Sequence, residues 1–555
     1  MTAVTAAKRE PAASSRSRAA HVIGASALGT LFEWYDFYLY GTLAGTFAAH
    51  FFSGVNETTA FIFALATFSV GFIVRPLGAL VFGRLGDRTG RKFTFLVTLA
   101  IMGLSTFCVG MLPDYAAIGI AAPLLLVTLR VLQGLAIGGE FSGAIVYVAE
   151  HAPAGRRGLH TSCIPAMAMA GLLLSLLVIA ATRAAMTPAA FSSWGWRVPF
   201  LVSVVLLGIS LWIRLRLHES PVFRQMQAEQ RLSRAPIAET FLNRQNLKLV
   251  FAALFGAVIG QAIIFYVGTF YAYYFLERVA HVDAFTVTVL TAVALVIAAP
   301  LVPLCGWLSD RIGRKPLLLG AAALAALLYF PLFGALLSAA NPRLAAALET
   351  APVVVVADPS ECTLLFDPLG RAAYDRRPCD VMRSLLAHTG ISYTDEVLPS
   401  PGRARLEIGG TELLAPDEVA LAGEGRARAI AEFRARAEAA LAAAGYDLKA
   451  DPARIDRARV ITILVLLLTL TAMSTGTYAS LLVELFPARI RYTALSFPQN
   501  LGNGWFGGLL PAVTFTIVAA TGNIFAGLWY PVGLAAICLL VGWLALPETR
   551  GRPID

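Results

Sequence analysis

The sequence predicts an all-α membrane protein: twelve transmembrane helices in two pseudo-symmetric six-helix halves, with a small α+β extracytoplasmic insert. Three observations predict it. The 555 residues are 57% hydrophobic and only 14% charged, with mean hydropathy +0.69, whereas a soluble domain carries about 25% charge. The apolar residues are blocked into runs of about 20, long enough to cross about 30 Å of hydrocarbon as helix and too continuous for barrel strands. A ten-residue string also occurs twice, GRLGDRTGRK at 83–92 and GWLSDRIGRK at 306–315, each at the end of an apolar run.

In chain order the runs place helices at 22–50, 58–82, 93–112, 118–147, 159–183, 197–217, 247–276, 284–308, 317–339, 460–484, 494–520 and 524–546. The basic residues before the first run resemble a cleavable leader. Glu33 and Asp36 interrupt that run, and apolar sequence continues to Phe52, so a retained helix is expected. The Lys and Arg residues concentrate in the N-terminus, the repeat loops, loops 150–158 and 484–492, the central loop and the C-terminus. The short loops on the other side hold only Arg183, Arg197 and Arg278. The positive-inside rule then puts both termini of this multi-pass protein in the cytoplasm. The expected organisation is a tail at 1–21, a first half at 22–217, a central cytoplasmic loop at 218–246, a second half at 247–546 and a tail at 547–555.

Segment 341–456 interrupts the second half. VVVV at 353–356 reads as a buried strand, RLEIGGTEL at 405–413 as a hairpin, 379–389 as a helix and 427–444 as an amphipathic helix with Ile430, Phe433, Ala437 and Leu441 on one face. A partly disordered loop is the alternative. By the alternation of sides the segment lies outside, and domains of this size translocate regardless of charge. Cys362 and Cys379 are its only cysteines, and an oxidising exterior favours their disulfide. Cys108, Cys163, Cys305 and Cys538 fall within apolar runs, as packing residues do. The repeats measure the insertion. Their copies start 223 residues apart, whereas Glu150 and Glu484, which open the next equivalent loops, are 334 apart.

Within the repeat, glycines allow a tight turn, basic residues anchor to anionic lipid, and the Asp can pair with an Arg or cap a helix across the interface between halves. A plain charged turn is the alternative, which the second copy weakens.

The repeats resemble the signature loops of the major facilitator superfamily. EWYDFYLYG at 33–41, RPLGALVFGRLGDRTGRK at 75–92, RVLQGLAIGGEFSGA at 130–144, WGWRVPF at 194–200, ELFPARIRYTALS at 484–496 and PETRG at 547–551 resemble its metabolite:proton symporter branch. The resemblance implies alternating access between two six-helix halves and uptake of a small organic acid or zwitterion with a proton. It implies no cofactor beyond the proton gradient, and a monomer is expected. Most members have a short loop where this chain has its insert.

Ionisable groups inside spans are costly and mark function. Here they are Glu33, Asp36, Arg75, Arg130 and Glu140. In similar transporters an acid on the first helix faces an Arg on the fourth, which implies that Asp36 carries the proton opposite Arg130. Glu33, one turn earlier, is its rival, and a structural ion pair is the alternative. Arg75 and Arg130 suit a substrate carboxylate, though Arg75 can equally anchor its helix end. Gln261, Tyr266, Gln499, Asn500 and Asn503 are further candidate substrate contacts, with helix joining as the alternative for the amides. Asp87, Arg88, Arg91, Asp310, Arg311, Arg314, Glu140, Glu150 and Glu484 are candidate gating residues.

Other classes fit poorly. Basic residues at the ends of runs answer to membrane topology, not nucleic acid. No metal-ligand cluster, phosphate loop or supported catalytic triad supports an enzyme. The fifth span lacks the Gly-Pro pair typical of the superfamily's drug exporters. A receptor would need an output domain.

Overall fold

The computed structural model describes residues 12–53, 63–64, 67, 69–153, 155–215, 221–230, 233–363, 374–398, 402–417, 419–423 and 425–554. Among these, ten helices are long and apolar enough to cross a membrane. The bundle consists of α1 (Ala12–Thr42), α2 (Arg75–Thr89), α3 (Arg91–Met111), α4 (Ala121–His151), α5 (Arg157–Ala184), α6 (Gly195–Leu215), α7 (Arg244–Val279), α8 (Ala284–Ile312) and α9 (Arg314–Ala340). Past an inserted unit with α10 (Pro378–Thr389) and α11 (Arg426–Ala443), it continues with α12 (Arg457–Leu485), α13 (Arg491–Val518) and α14 (Ala526–Ala545).

The side chains are distributed inside out relative to a water-soluble protein. Leu77, Val81, Leu104, Trp212, Phe285, Leu327, Leu540 and Trp543 face outward, while Glu33, Asp36, Arg75, Arg130, Glu140 and Arg214 are buried. Lipid accepts the first set and rejects the second.

Two expectations change. The first run breaks at Leu43, which separates α1 from a short helix, Ala44–Phe51. The beginning of the second run, 58–82, lies outside the described residues. The decapeptides are not loops throughout: α2 stays helical to Thr89 and α8 to Ile312. Each then turns at one glycine, Gly90 (φ 108°) and Gly313 (φ 111°), a backbone conformation that strains any residue with a Cβ. The turn is thus sharper than a ten-residue loop, and Arg91 and Arg314 open the next helices.

The inserted unit leaves and rejoins the bundle at one place, where the Asp456 amide donates to the Ala339 carbonyl at 2.9 Å. It carries a four-stranded sheet of β1 (Val353–Ala357), β2 (Thr394–Val397), β3 (Arg405–Ile408) and β4 (Thr411–Leu414), in the order β2-β1-β3-β4. β1 pairs parallel with β2 and antiparallel with β3, and β3–β4 is a hairpin. The Val run is mostly buried because β1 is a central strand. Phe433, Ala437 and Leu441 form the buried stripe of α11. Cys362 and Cys379 are disulfide-bonded, with Cα atoms 5.2 Å apart.

The unit sits on the end of the bundle opposite the repeats, because α9 leaves the second repeat and runs 27 residues, about 40 Å, before reaching it. Asn341 donates to the Ala280 and Asp447 carbonyls, both at 3.1 Å, and the Tyr393 amide donates to the Gly522 carbonyl at 2.7 Å. The unit therefore ties together the ends of α7, α9 and the α13–α14 connection.

Candidate functional site

A central cavity opens where the two halves meet. Trp34, Arg75, Ile137, Phe141, Pro165 and Ala168 line it from the first half. Gln261, Phe265, Thr475, Tyr478, Gln499, Asn500 and Asn503 line it from the second. The helices that bring the amides are locally widened to π-helix, at Leu254–Val258, Val267–Tyr271 and Phe275–Val279 in α7 and Gly502–Gly507 in α13. Such segments misalign the backbone ladder and recur at functional sites.

Among the described residues that line this cavity, Arg75 is the cation and none is acidic. Its guanidinium lies against Phe37 (4.6 Å), Phe72 (4.7 Å) and Trp34 (5.4 Å), and buried Nε and Nη2 make no hydrogen bond. A planar donor fork in an aromatic setting is suited to a carboxylate. The amides are partly committed. Asn503 donates to Gln261 Oε1 at 3.2 Å, Ser142 donates to Gln499 Oε1 at 2.9 Å, and Asn500 joins the halves by donating to the Gly138 carbonyl at 2.7 Å. Tyr266 does not line the cavity; it stacks on Phe270 (5.5 Å) and meets the edge of Phe72 (5.8 Å).

Asp36 and Arg130 do not form the expected ion pair. Arg130 Nη1 donates to Gln133 Oε1 at 2.7 Å, and its guanidinium lies 4.2 Å from the Tyr40 ring centre. Gln133 Nε2 donates to Thr106 Oγ1 at 2.8 Å, and Thr106 lies beside the Asp36 carboxylate. Two neutral side chains thus separate the charges, because Gln133 lies one turn along the same helix and reaches the guanidinium first. Arg130 does not line the cavity either. Glu33 is not free to rival Asp36 alone: Arg214 of α6 pairs with Glu33 at 2.6 Å and also with Glu140. Glu140 therefore lies in the bundle interior, paired with Arg214.

At the repeat-bearing end the two halves exchange helix caps. Asp87 of α2 accepts from the Thr493 amide (3.0 Å) and hydroxyl (2.7 Å) at the start of α13. Asp310 of α8 accepts from the amides of Gly158 and Leu159, both at 2.9 Å, at the start of α5. A carboxylate at a helix N-terminus satisfies orphan N–H groups and favours the helix dipole. Each cap has an ion pair beside it. Arg491 meets Glu150 at 3.3 Å, and Arg314 meets Asp310 at 2.7 Å and Glu484 at 3.2 Å, with Arg157 3.8 Å from Glu484. Close packing seals this end: the Tyr492 hydroxyl donates to the Gly139 carbonyl at 2.8 Å, a contact that small glycines at 86 and 143 admit. Arg88 and Arg311 stand outside the cluster, exposed, with Arg311 stacked over Trp307 at 3.9 Å. The side chain of Arg91 lies outside the described residues.

The PETRG tail completes the second cluster. Glu548 accepts from the amides of Arg314 and Lys315, both at 3.0 Å, and Thr549 donates to Glu484 at 2.9 Å. Burial opposes ionisation of Glu548, but those backbone N–H groups hold its carboxyl below the usual range.

The model of the Major Facilitator Superfamily matches residues 26–357, more than half of the chain. The chain belongs to the major facilitator superfamily. Its relatives are transporters and not enzymes. It is 35% identical over 381 residues to the inner membrane metabolite transport protein YhjE of Escherichia coli, covering 68% of this chain and 83% of that one. It is 33% identical over 353 residues to the alpha-ketoglutarate permease of the same organism, covering 64% and 80%. It is 37% identical over 316 residues to the E. coli proline/betaine transporter, covering 54% of this chain and 62%, under two thirds, of that one. These are relatives of the metabolite:proton symporter branch that the motifs resemble. In fold, the chain resembles the proton:xylose symporter XylE, with TM-score 0.60, 16% identity and coverage of 97% and 98%.

Sequence reading of this superfamily member missed Thr106, Gln133, Arg157, Arg214, Arg491 and Thr493. Arg214 carried the clearest overlooked signal. It sits in the last turn of an apolar run, in LWIRLR, where a basic residue also reads as a helix-end anchor.

Proposed function

We propose that the protein imports a small organic acid or zwitterion together with a proton, by alternating access. The reading takes the two halves as six helices each, twelve in all, with α1 and the helix ending in α2 joining the ten clear spans. The basic repeat-bearing end, both termini and the central loop face the cytoplasm. The inserted unit is read as an α+β module on the extracytoplasmic face, where its disulfide suits the redox environment.

One observation carries the reading: Arg75, buried with unpartnered donors, faces a cavity whose described lining is amides, hydroxyls and aromatic rings, with no carboxylate among the described residues. In low dielectric such a cation favours an anionic ligand group. Asp36, buried with an unpartnered Oδ1 and separated from Arg130, is the proposed proton carrier. The Asp87 and Asp310 caps serve as the cytoplasmic gate, since opening that end breaks both together.

The test is uptake of labelled 2-oxoglutarate, shikimate, proline and glycine betaine into vesicles holding the full chain under an imposed inward proton gradient. At least one should accumulate, and an uncoupler should abolish the accumulation. Accumulation that ignores the uncoupler would overturn proton coupling. An Arg75→Gln protein that is folded and transports normally would overturn the site.

A further inference from the structure

The first half contains a second buried charge cluster that the reading above does not use. Arg214 of α6 pairs with two carboxylates at once, Glu33 of α1 at 2.6 Å and Glu140 of α4. All three side chains are at most 3% exposed. The two carboxylates bracket the same guanidinium, Glu33 at Nη2 and Glu140 at Nη1. Each also has a buried Oε2 with no hydrogen-bond partner. Gly29 makes the arrangement possible, since a Cβ there would overlap the Arg214 guanidinium.

Within this three-residue cluster the charges do not balance without a proton. Two ionised carboxylates and one guanidinium leave net −1 in a site without water-like screening, with two acids side by side. One proton on one carboxylate brings the cluster to neutrality and supplies the donor that the neighbouring oxygen lacks. Adjacent carboxylates that cannot both ionise share a proton in this way. The other charged groups facing the cluster do not replace that proton. Asp36, one turn along α1, adds negative charge. Lys92 of α3 is directed to the Leu215 carbonyl at 2.9 Å. The Phe95 ring, 5.3 Å from the Arg214 guanidinium, completes the wall on that side.

We infer that Glu33 and Glu140 share a single proton against Arg214, forming a proton site distinct from Asp36 that joins α1, α4 and α6. The inference rests on the proton-coupled reading only for its consequence: a proton leaving this site would set two like charges together and loosen the contact of three helices. Occupancy of the site is independent of substrate.

The experiment is infrared spectroscopy of the purified full-length protein, following the C=O stretch of protonated carboxyl groups at neutral pH, with thermal unfolding in parallel. In Glu33→Gln and in Glu140→Gln one protonated-carboxyl band should vanish, and this band should persist in Asp36→Asn. Each single Gln variant should unfold no lower than the natural protein, because the amide replaces the protonated acid. The Glu33→Gln/Glu140→Gln double variant should unfold well below either, because Arg214 is then buried without a carboxylate. If both single variants keep every protonated-carboxyl band, the shared proton is overturned. If each unfolds as low as the double variant, the cluster is a purely ionic clamp and the inference also falls. Neither outcome bears on gradient-driven uptake, which the vesicle assay measures separately.

Discussion

The interiors of the two halves differ in kind. The first buries Glu33, Asp36, Arg75, Arg130, Glu140 and Arg214. Among the described residues, the polar groups that the second lends the cavity are the neutral Gln261, Thr475, Tyr478, Gln499, Asn500 and Asn503. The chain is duplicated in outline, with matching glycine turns and exchanged caps, yet its charges are not. A buried ion is costly without a partner: Glu33 and Glu140 share Arg214 across α1, α4 and α6, while Arg75 keeps unpartnered donors. Neutral amides can recognise a ligand without that cost. The first half thus lends the interior charged groups and the second neutral hydrogen-bonding ones.

The largest effect that tests this contrast lies at Arg75. Arg75→Gln should lower initial uptake about a hundredfold, the equivalent of about 3 kcal/mol for lost charge-assisted hydrogen bonds. Gln261→Ala, opposite it, should lower uptake about tenfold. Rates normalised to protein in the membrane check both. A larger loss at Gln261 than at Arg75 would reverse the contrast.

The caps probe where the halves remain equal. Asp87→Asn and Asp310→Asn should each slow turnover by about tenfold, reflecting the 1–2 kcal/mol of a charged helix cap, while substrate Kd measured by calorimetry stays unchanged. Similar losses would confirm that the duplicated ends share the gate. A loss at only one would show that the gate has become as asymmetric as the interior.

The smallest effect lies at Glu548, which caps the start of α9 in the second half. Glu548→Gln should cost about 1 kcal/mol of stability. The carboxyl is held below its usual range when folded, so its contribution is present above the unfolded pKa of about 4.3 and lost as pH falls through the folded value. The natural protein and the variant should therefore converge in thermal unfolding under acid. A gap that persists well below pH 4 would mean the side chain acts by packing.

Much of this was readable in advance. The apolar runs predict most helix positions within a few residues, the spacing of the repeats locates the inserted unit, and VVVV and the amphipathic stripe of 427–444 mark its strand and helix. These signals are local: each is a sum or a period over a window that one helix or strand satisfies by itself. The repeat Asp residues were legible as cross-interface caps, but not the residues they would cap.

What the tertiary structure alone decided are the partners. Glu33 meets a guanidinium 181 residues away, Glu140 meets it across 74, and Asp87 caps a helix 406 residues on. Packing also set Asp36 beside Thr106 and left Arg130 to its same-helix neighbour Gln133. By itself the sequence determined which segments are helical, which side of each is apolar, and where the chain departs from a plain duplication. Only packing decided which buried charges meet, because a window of hydropathy records the cost of burying an ion but not the identity of the distant group that offsets it.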